Sequence, residues 1–292
     1  MSAAVDAAGL GKRYGRDWAL QDCTLSVPEG RVVGLVGSNG AGKSTLLHLI
    51  VGLVRPSAGT INVFGARPAS GASELGRVGF LAQDVPLYPT LSIGDHLRLG
   101  AELNPGWDAE GAARRIRALR LDLEQRAGEL SGGERAQVAL TLAVSKRPDL
   151  LMLDEPVAGL DPLARREFLQ LLMETVAENQ VTVVLSSHLL GDVERVCDYL
   201  VVLSASRVRL AGDVSELLET HRVLVGPRRG REALPRELEV IDESHTDRQS
   251  TFVVRGTEPV FDRAWTTSRL GLEDLVLAYL TQDARDVALA GR

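Results

Sequence analysis

The stretch VVGLVGSNGAGKS, residues 32–44, is the most informative part of this 292-residue chain. Its apolar first half predicts a buried strand, and the residues from Lys43 to Val51 predict a helix that Gly52 ends. Between them lies the spacing Gly-x-x-x-x-Gly-Lys-Ser, in which backbone N–H groups and a helix N-terminus converge on one anion. A glycine-rich turn that binds nothing is the alternative. The strand and the helix are, however, the context that a phosphate loop requires.

The loop predicts a nucleotide site, and its chemistry assigns a role to individual side chains. Lys43 is expected to reach the β and γ phosphates as a mobile point charge, and the Ser44 hydroxyl to ligate Mg²⁺. Lysine stands only at positions 12, 43 and 146 of this arginine-rich chain, and Lys43 is where an arginine could not easily substitute. The predicted phosphate contacts are Gly37, Ser38, Asn39, Gly40, Ala41, Gly42, Lys43, Ser44 and Thr45.

A second apolar run, Leu150 to Leu153, ends in the carboxylates Asp154 and Glu155. Ligands bind at the carboxyl ends of the strands in a parallel α/β sheet, so this pair is expected beside the phosphate loop. Asp154 is a candidate to hold Mg²⁺, and Glu155 to act as the base that orients or polarises the attacking water. A helix N-cap is the alternative for such a pair, and the phosphate loop outweighs it.

The whole chain alternates short apolar strands with helical patterns, which predicts an α/β fold with a mainly parallel sheet. A helical insertion is predicted over about 92–146 within a larger domain, 1–219. Turn-rich sequence then predicts a small α+β accessory domain, 220–292, with strands near 239–241 and 251–254 and a final helix over 272–280. The predicted strands of the larger domain are 19–27, 32–36, 78–81, 150–153, 181–185 and 199–203, and its predicted helices are 43–51, 95–103, 109–119, 132–145, 163–178 and 191–196.

Composition excludes several classes of protein. A formal net charge of −6 argues against a general nucleic-acid binder, which needs a concentrated positive surface. Cys23 and Cys197 lack the spacing of a disulfide framework or a zinc site, so two reduced, buried thiols are expected. The N-terminal sequence has no signal-peptide pattern, and no apolar run approaches the roughly 18 residues of a membrane span.

The segment Leu130-Ser131-Gly132-Gly133-Glu134, about twenty residues before Asp154, indicates which class of nucleotide-binding protein this is. It resembles the signature sequence of ATP-binding subunits of bacterial ABC transporters, and the resemblance extends over roughly residues 5–218 with the family's motifs in order. The resemblance implies a P-loop core with an antiparallel β subdomain, and ATP with Mg²⁺ as cofactors. Glu134 departs from the glutamine that is most frequent in the family.

The resemblance also implies roles for residues outside the phosphate loop. Tyr14 would stack on adenine, Gln83 would meet Mg²⁺ and couple the site to the helical subdomain, and His188 would contact the γ-phosphate. Asp161 matches the loop through which two subunits sense each other. In the family, Ser131, Gly132 and Gly133 of one subunit close over the ATP held by Lys43 of a second, which is either an identical copy or a paralogue.

Each of these side chains has a plainer alternative when taken singly. Tyr14 could be a packed strand aromatic, Gln83 a surface polar residue, Asp161 a helix cap before Pro162, and His188 a lone hydrogen-bonded histidine. Their occurrence in register favours the family roles.

At the level of biology, the resemblance implies an ATPase subunit in the cytoplasm, held at the inner face of the membrane by separate permease subunits. The segment Asn104-Pro105-Gly106-Trp107-Asp108 and the accessory region resemble exporters of the ABC-2 type, including antibiotic exporters. Export is therefore expected rather than import. The alternative is a soluble ABC ATPase of translation, DNA maintenance or cluster assembly, which the single cassette and the lack of long coiled coils disfavour.

Overall fold

A computed structural model describes residues 2–85, 87–256 and 264–290, with side chains through 282. Its strands are β1 (Ala3–Tyr14), β2 (Asp17–Pro28), β3 (Val32–Gly37), β4 (Ala58–Val63), β5 (Val78–Leu81), β6 (Leu150–Asp154), β7 (Thr182–Ser186), β8 (Tyr199–Ser204), β9 (Arg207–Asp213), β10 (His221–Pro227), β11 (Glu239–His245), β12 (Gln249–Arg255) and β13 (Thr266–Arg269). Its α-helices are α1 (Lys43–Ile50), α2 (Ala72–Gly76), α3 (Ile93–Leu103), α4 (Ala109–Ala118), α5 (Gly132–Ser145), α6 (Pro162–Asn179), α7 (Leu190–Val196), α8 (Val214–Thr220) and α9 (Leu272–Ala290).

A six-stranded sheet with the order β5-β6-β7-β3-β8-β9 carries the nucleotide site. Its strands are parallel except β9, which pairs antiparallel with β8. Successive residues of a strand face opposite sides, so Leu150 and Met152 join one hydrophobic cluster while Leu151 and Leu153 join the other. The first cluster contains α1 and the antiparallel sheet β2-β1-β4, and the second contains α5, α6, α7 and α9.

Helices α3, α4 and α5 form the helical insertion around a small cluster of their own, which includes Ile93, Ile116 and Val138. Both α3 and α5 begin with a capping box, in which the side chains of an N-cap serine and an acidic residue three positions later satisfy each other's backbone N–H groups.

The C-terminal part of the chain has a core and a firm link to the rest. Sheet β11-β12-β10-β13 packs around Phe252 and Trp265, whereas α9 contributes Leu275 and Val276 to the large cluster. Burial lowers the pKa of His221 and raises the pKa of Tyr279 to about 12, so both are neutral near pH 7. The hydrogen bond between Tyr279 of α9 and His221 of β10 thus joins the accessory strands to the helix that packs on the nucleotide-binding core.

The structure confirms the α/β fold class, the antiparallel subdomain and the two buried thiols. Burial raises the pKa of the Cys197 thiol to about 12, which keeps it protonated. In the described part of the chain, no helix combines the length and apolar character needed to cross a membrane. The predicted division at 219/220 stays a prediction. It falls at the end of α8, and residues 257–263 and 291–292 of the predicted accessory domain lie outside the described residues.

Several elements are not predicted from the sequence: strands β1, β4, β9, β10 and β13 and helices α2 and α8. Strand β1 is rich in alanine and glycine, and its ladder with β2 shifts register four times, so no period-two pattern marks it. The final helix is longer than expected, reaching Ala290 instead of residue 280. The other predicted strands and helices are confirmed within a few residues.

Candidate active site

A cleft of about 730 Å³ opens at the carboxyl ends of β3, β6 and β7. The sheet order brings these strands together, because β3 lies beside β7 and β7 beside β6. The cleft therefore unites loops that are more than a hundred residues apart in sequence. It is lined by Ala19, Val36, Gly37, Ser38, Asn39, Gly40, Gly42, Lys43, Ser44, Thr45, Gln83, Glu155, Ser187, His188, Leu190, Val276, Leu277 and Leu280.

The phosphate loop, residues 37–44, leaves the first turn of α1 free for an anion. Gly40 and Gly42 have φ of 81° and 105°, and a Cβ on Gly42 would lie 2.4 Å from the Ala19 carbonyl oxygen, so only glycine fits there. In this described helix no side chain caps the N-terminus and no acidic residue occupies the first turn. The N-terminal amides of α1 are available to phosphate oxygens, and the helix dipole favours negative charge at this end.

Lys43 is a buried cation poised at the floor of the cleft. Its side chain is about 8% exposed, and Nζ donates to the Gly37 carbonyl oxygen at 2.9 Å and lies 3.6 Å from Glu155 Oε1. A buried ammonium needs such partners, since its desolvation is otherwise costly. The loop thus holds the lysine next to its own amides, where a polyphosphate would meet both.

Glu155 and His188 form a coupled pair. Glu155 has a φ of 49°, a left-handed conformation that is rare for a side chain of this kind and that occurs preferentially at functional sites. Nδ1 of His188 donates to Glu155 Oε2 at 2.7 Å, because an ionised carboxylate can only accept. Glu155 is therefore held between a lysine and a histidine, with one oxygen near each.

Ser186 is a site residue for which the sequence predicted no role. This fully buried serine donates from Oγ to Asp154 Oδ1 at 2.7 Å and accepts from the Glu155 backbone N–H at 2.9 Å. It therefore fixes both carboxylate residues from the neighbouring strand. The available signal was a hydroxyl at the end of the apolar strand β7, beside His188.

Ser44, Gln83 and Asp154 are the residues whose donor chemistry fits Mg²⁺. Hydroxyl, amide and carboxylate oxygens are the ligands this ion prefers, and it commonly takes further oxygens from substrate phosphates. Ser44 and Gln83 line the cleft, whereas Asp154 is 3% exposed and lies behind it against Ser186.

Six other predicted residues do not line the cleft of their own chain. Ala41 is one of them, because its side chain is 4% exposed and packs in the core beside β3. Tyr14 is half exposed, with Lys12 Nζ 5.2 Å from its ring centroid, so it is not a packed strand aromatic. Ser131 caps α5, and Asp161 caps α6 by accepting from the N–H groups of Leu163 and Ala164. Gly132 and Gly133 begin α5, and a Cβ on Gly133 would lie 2.8 Å from the Ala164 side chain at the start of α6.

Comparisons with known proteins agree with this geometry. A family model described as ABC transporter matches residues 20–158. The bacitracin transport ATP-binding protein BcrA of Enterococcus faecalis is 30% identical over 225 residues, which make up 76% of this chain and 73% of the relative.

The chain belongs to the ABC transporter family, as an ATP-binding subunit. The molybdenum import ATP-binding protein ModC of Mycobacterium tuberculosis is 38% identical over 223 residues, covering 71% of this chain and 60% of ModC. A solved structure of the ATP binding subunit of an ABC transporter superposes with a TM-score of 0.66 at 33% identity, covering 73% of this chain and 91% of that chain.

Membership in the family confirms three predictions for this ABC subunit. It is an ATPase coupled to transport, and it uses ATP with Mg²⁺. It works with transmembrane permease subunits. The second ATPase subunit stays a prediction. Because the relatives include an import protein, the direction of transport does not follow from membership.

Proposed function

We propose that this ABC subunit drives export of a substrate through separate permease subunits, from the inner face of the membrane. The observation that supports the proposal is an apolar groove between the sheet and the helical insertion, called the permease groove below. It measures about 440 Å³, and large side chains stand exposed in its lining: Leu53, Leu75, Tyr88, Leu99 and Leu103. Contiguous exposed apolar surface of this kind marks a protein interface.

The position of the groove supports a coupling role. Val78 and Phe80 of β5 line it, and Gln83, two residues beyond the end of this strand, lines the nucleotide cleft. A short, rigid segment therefore connects the permease groove to the nucleotide site. A change in nucleotide state at Gln83 would be felt by a permease element seated in the groove.

The proposed direction rests on the resemblance of the segment 104–108 to ABC-2-type exporters. Asn104 and Trp107 line the permease groove, and the Trp107 ring covers Gly100, where a Cβ would lie 2.4 Å from the ring. The exporter-like segment is thus part of the surface proposed to meet the permease.

The proposed roles in hydrolysis follow from the contacts of each side chain. Lys43 and the amides of the phosphate loop bind the phosphates. Ser44, Gln83 and Asp154 would hold Mg²⁺, which would supply charge neutralisation at the phosphates. Glu155 accepts the proton of the attacking water, while His188 orients this carboxylate and contacts the γ-phosphate. Tyr14 stacks on adenine. Ser131, Gly132, Gly133 and Asp161 act on the nucleotide held by the second subunit.

Replacing the proposed base tests this assignment. Glu155→Gln keeps the shape and the contact with His188 but cannot take a proton. ATP hydrolysis is expected to fall by about 100-fold or more, with ATP affinity retained, and the paired subunits are expected to stay closed on ATP. Phosphate release and nucleotide binding measure the two quantities separately. A wild-type hydrolysis rate would contradict the role of Glu155.

Export is tested with membranes. In inside-out vesicles from cells that express the chain with its permease, ATP is expected to drive accumulation of an exported compound inside the vesicles, scored over a panel of labelled antibiotics and lipids. Leu103→Asp, at a side chain that is 70% exposed in the permease groove, is expected to abolish co-purification with the permease. Leu123→Asp, 43% exposed and outside the groove, is the matched control. Uptake into right-side-out vesicles instead would indicate import.

A further inference from the structure

Helix α9 forms one wall of the nucleotide cleft although it lies more than 200 residues from the phosphate loop in sequence. Val276, Leu277 and Leu280 line the cleft beside Leu190, which follows His188 by two residues. The C-terminal part of the chain therefore reaches the edge of the site at the point where the γ-phosphate contact is expected. No role in the proposed hydrolysis mechanism uses this wall.

The wall is firmly anchored from behind. Leu275 and Val276 are fully buried in the main core. The Tyr279 hydroxyl donates to His221 Nε2 at 3.0 Å, because Nδ1 of the same ring donates to the Leu217 carbonyl oxygen at 2.7 Å. Helix α9 is thus fixed between the sheet core and β10.

Leu277 is anomalous on this anchored helix. Its neighbours on the solvent face, Glu273 and Asp274, are the charged residues expected there, but Leu277 is a large apolar side chain that is 48% exposed. With the partly buried Leu280 it forms an apolar strip at the rim of the cleft. The strip borders the nucleotide cleft, over which a second ATPase subunit closes in the proposed function.

The other half of the paired site has a matching feature. Leu163, at the start of α6, is 65% exposed. The signature segment, residues 130–134, is tied to this point, because a Cβ on Gly133 would lie only 2.8 Å from the Ala164 side chain. When a signature segment is presented to the nucleotide of another subunit, Leu163 is presented with it as part of one rigid surface.

We propose that Leu277 and Leu280 contact Leu163 of the partner subunit, a second copy of this chain, when the pair closes on ATP. The accessory part of the chain then contributes directly to the ATP-dependent interface. Closure buries apolar side chains that are solvated in the single subunit, which favours the closed pair. The inference rests on the pairing of ATPase subunits in the proposed function.

Cysteine cross-linking tests the contact. Two chains are prepared in the Glu155→Gln background, one with Leu163→Cys and the other, carrying a tag that changes its size, with Leu277→Cys. A disulfide requires Cα atoms within about 7 Å, and a short bismaleimide covers slightly longer separations. The native cysteines are buried, and each variant alone serves as the background measurement. Light scattering reports on pairing independently of any cross-link.

A cross-link between the two sizes of chain that depends on Mg-ATP is the expected result. Met173→Cys replaces Leu163→Cys as the matched control. Met173 is also exposed on α6 but lies about 15 Å further along the helix, and we expect no cross-link from it.

The remaining outcomes would overturn the proposal. Pairing by light scattering without a Leu163–Leu277 cross-link leaves the paired ATPase intact but contradicts this interface. A cross-link that forms equally without ATP also contradicts it. If Mg-ATP produces no pair at all, then a second copy of this chain is not the partner, and the inference fails together with its premise.

A second variant measures the contribution of the strip. Leu277→Asp is expected to raise the ATP concentration needed for pairing by about tenfold, since a charged side chain would replace a buried apolar contact. ATP binding to the single subunit is the internal reference. Met173→Asp is the matched surface variant, and an equal effect of both substitutions would contradict a specific contact at Leu277.

Discussion

Two helix N-termini of this ABC subunit are proposed to contact nucleotide phosphate, and their backbone N–H groups are satisfied in opposite ways. Helix α1 begins after Gly42 with no side-chain cap and no acidic residue in its first turn. Helix α5 begins after Ser131 with a complete capping box, in which Glu134 Oε2 accepts from both the N–H and the hydroxyl of Ser131. The first terminus is free for phosphate in the single chain, whereas the second is satisfied by its own residues.

The difference indicates an order of events. Phosphate at α1 competes with the contacts that Lys43 makes with Gly37, Ser38 and Glu155, and no side chain caps this described terminus. At α5, the Ser131 hydroxyl already donates to Glu134, and the carboxylate brings negative charge to the place where a second subunit's γ-phosphate is expected. Binding at α1 should therefore come first, and engagement of α5 should require the energy of subunit closure.

The largest expected effect comes from the α1 side. Lys43→Ala removes the buried cation, and loss of one partner from a desolvated charge pair costs about 3 kcal/mol, or about 100-fold in ATP affinity. Lys43→Arg keeps the charge but needs space that a side chain 8% exposed does not have, and we expect a loss of similar size. Binding of a fluorescent ATP analogue measures both.

Lys146→Arg is the matched control for this pair of variants. Its Nζ also donates to a backbone carbonyl at 2.9 Å, that of Val78, but it lies outside the nucleotide cleft. ATP affinity is expected to stay within about twofold of wild type. If Lys43→Ala bound ATP as tightly as the control, the phosphate-loop assignment would be wrong.

A smaller and different effect is expected at α5. Ser131→Ala removes the cap and the hydroxyl offered to the partner's nucleotide, a hydrogen bond to a charged group that contributes about 1.5 kcal/mol. Hydrolysis by the paired subunits is expected to fall about tenfold, while ATP binding to the single subunit stays unchanged. If ATP binding to the single subunit and hydrolysis fell together, the proposed difference in role between α1 and α5 would be wrong.

Ser92→Ala isolates the loss of the cap itself. Ser92 caps α3 through the same type of box, with Asp95 as its partner, and it lies outside the nucleotide cleft. Ser92→Ala and Ser131→Ala are each expected to lower the free energy of unfolding by about 1 kcal/mol, measured by denaturant unfolding. Only Ser131→Ala is expected to reduce hydrolysis.

The two helix N-termini also show which features of the site can be predicted from the sequence and which cannot. The strand, loop and helix around residues 32–44 are local: each glycine, Lys43 and Ser44 acts through neighbours in sequence, so the pattern alone predicts the arrangement. The capping box at Ser131 and Glu134 is equally local, but its consequence depends on a second subunit. The missed role of Ser186 depends on the lateral order of β6 and β7, which no local pattern contains.

The sequence did not predict that α9 forms a wall of the nucleotide cleft. The amphipathic pattern from Leu272 onwards indicates a helix but not the surface that it covers, and Leu277 interrupts the polar face without local cause. Its place beside the phosphate loop results from the docking of α9 on α7 and β8. Strand β1 was missed for a different reason, because its small residues and shifted register hide the alternation of a strand.

The smallest expected effect tests the charge that distinguishes the two termini. Glu134→Gln can still accept from the Ser131 N–H, so the capping box is largely kept, but the negative charge at the start of α5 is removed. A charge near a helix N-terminus is worth about 0.3–1 kcal/mol, so the helix itself should lose a little stability. The partner's ATP, however, should meet less repulsion, and the ATP concentration for pairing should fall by about two- to fivefold at low salt.

Asp95→Asn is the matched control, because it makes the same change in the α3 capping box and should leave pairing unaltered. Light scattering against ATP concentration in the Glu155→Gln background measures the shift, and added salt should reduce it, since ions screen exposed charges. Weaker pairing in Glu134→Gln would mean that the carboxylate assists closure, and the two helix termini would then differ in geometry but not in their readiness for phosphate.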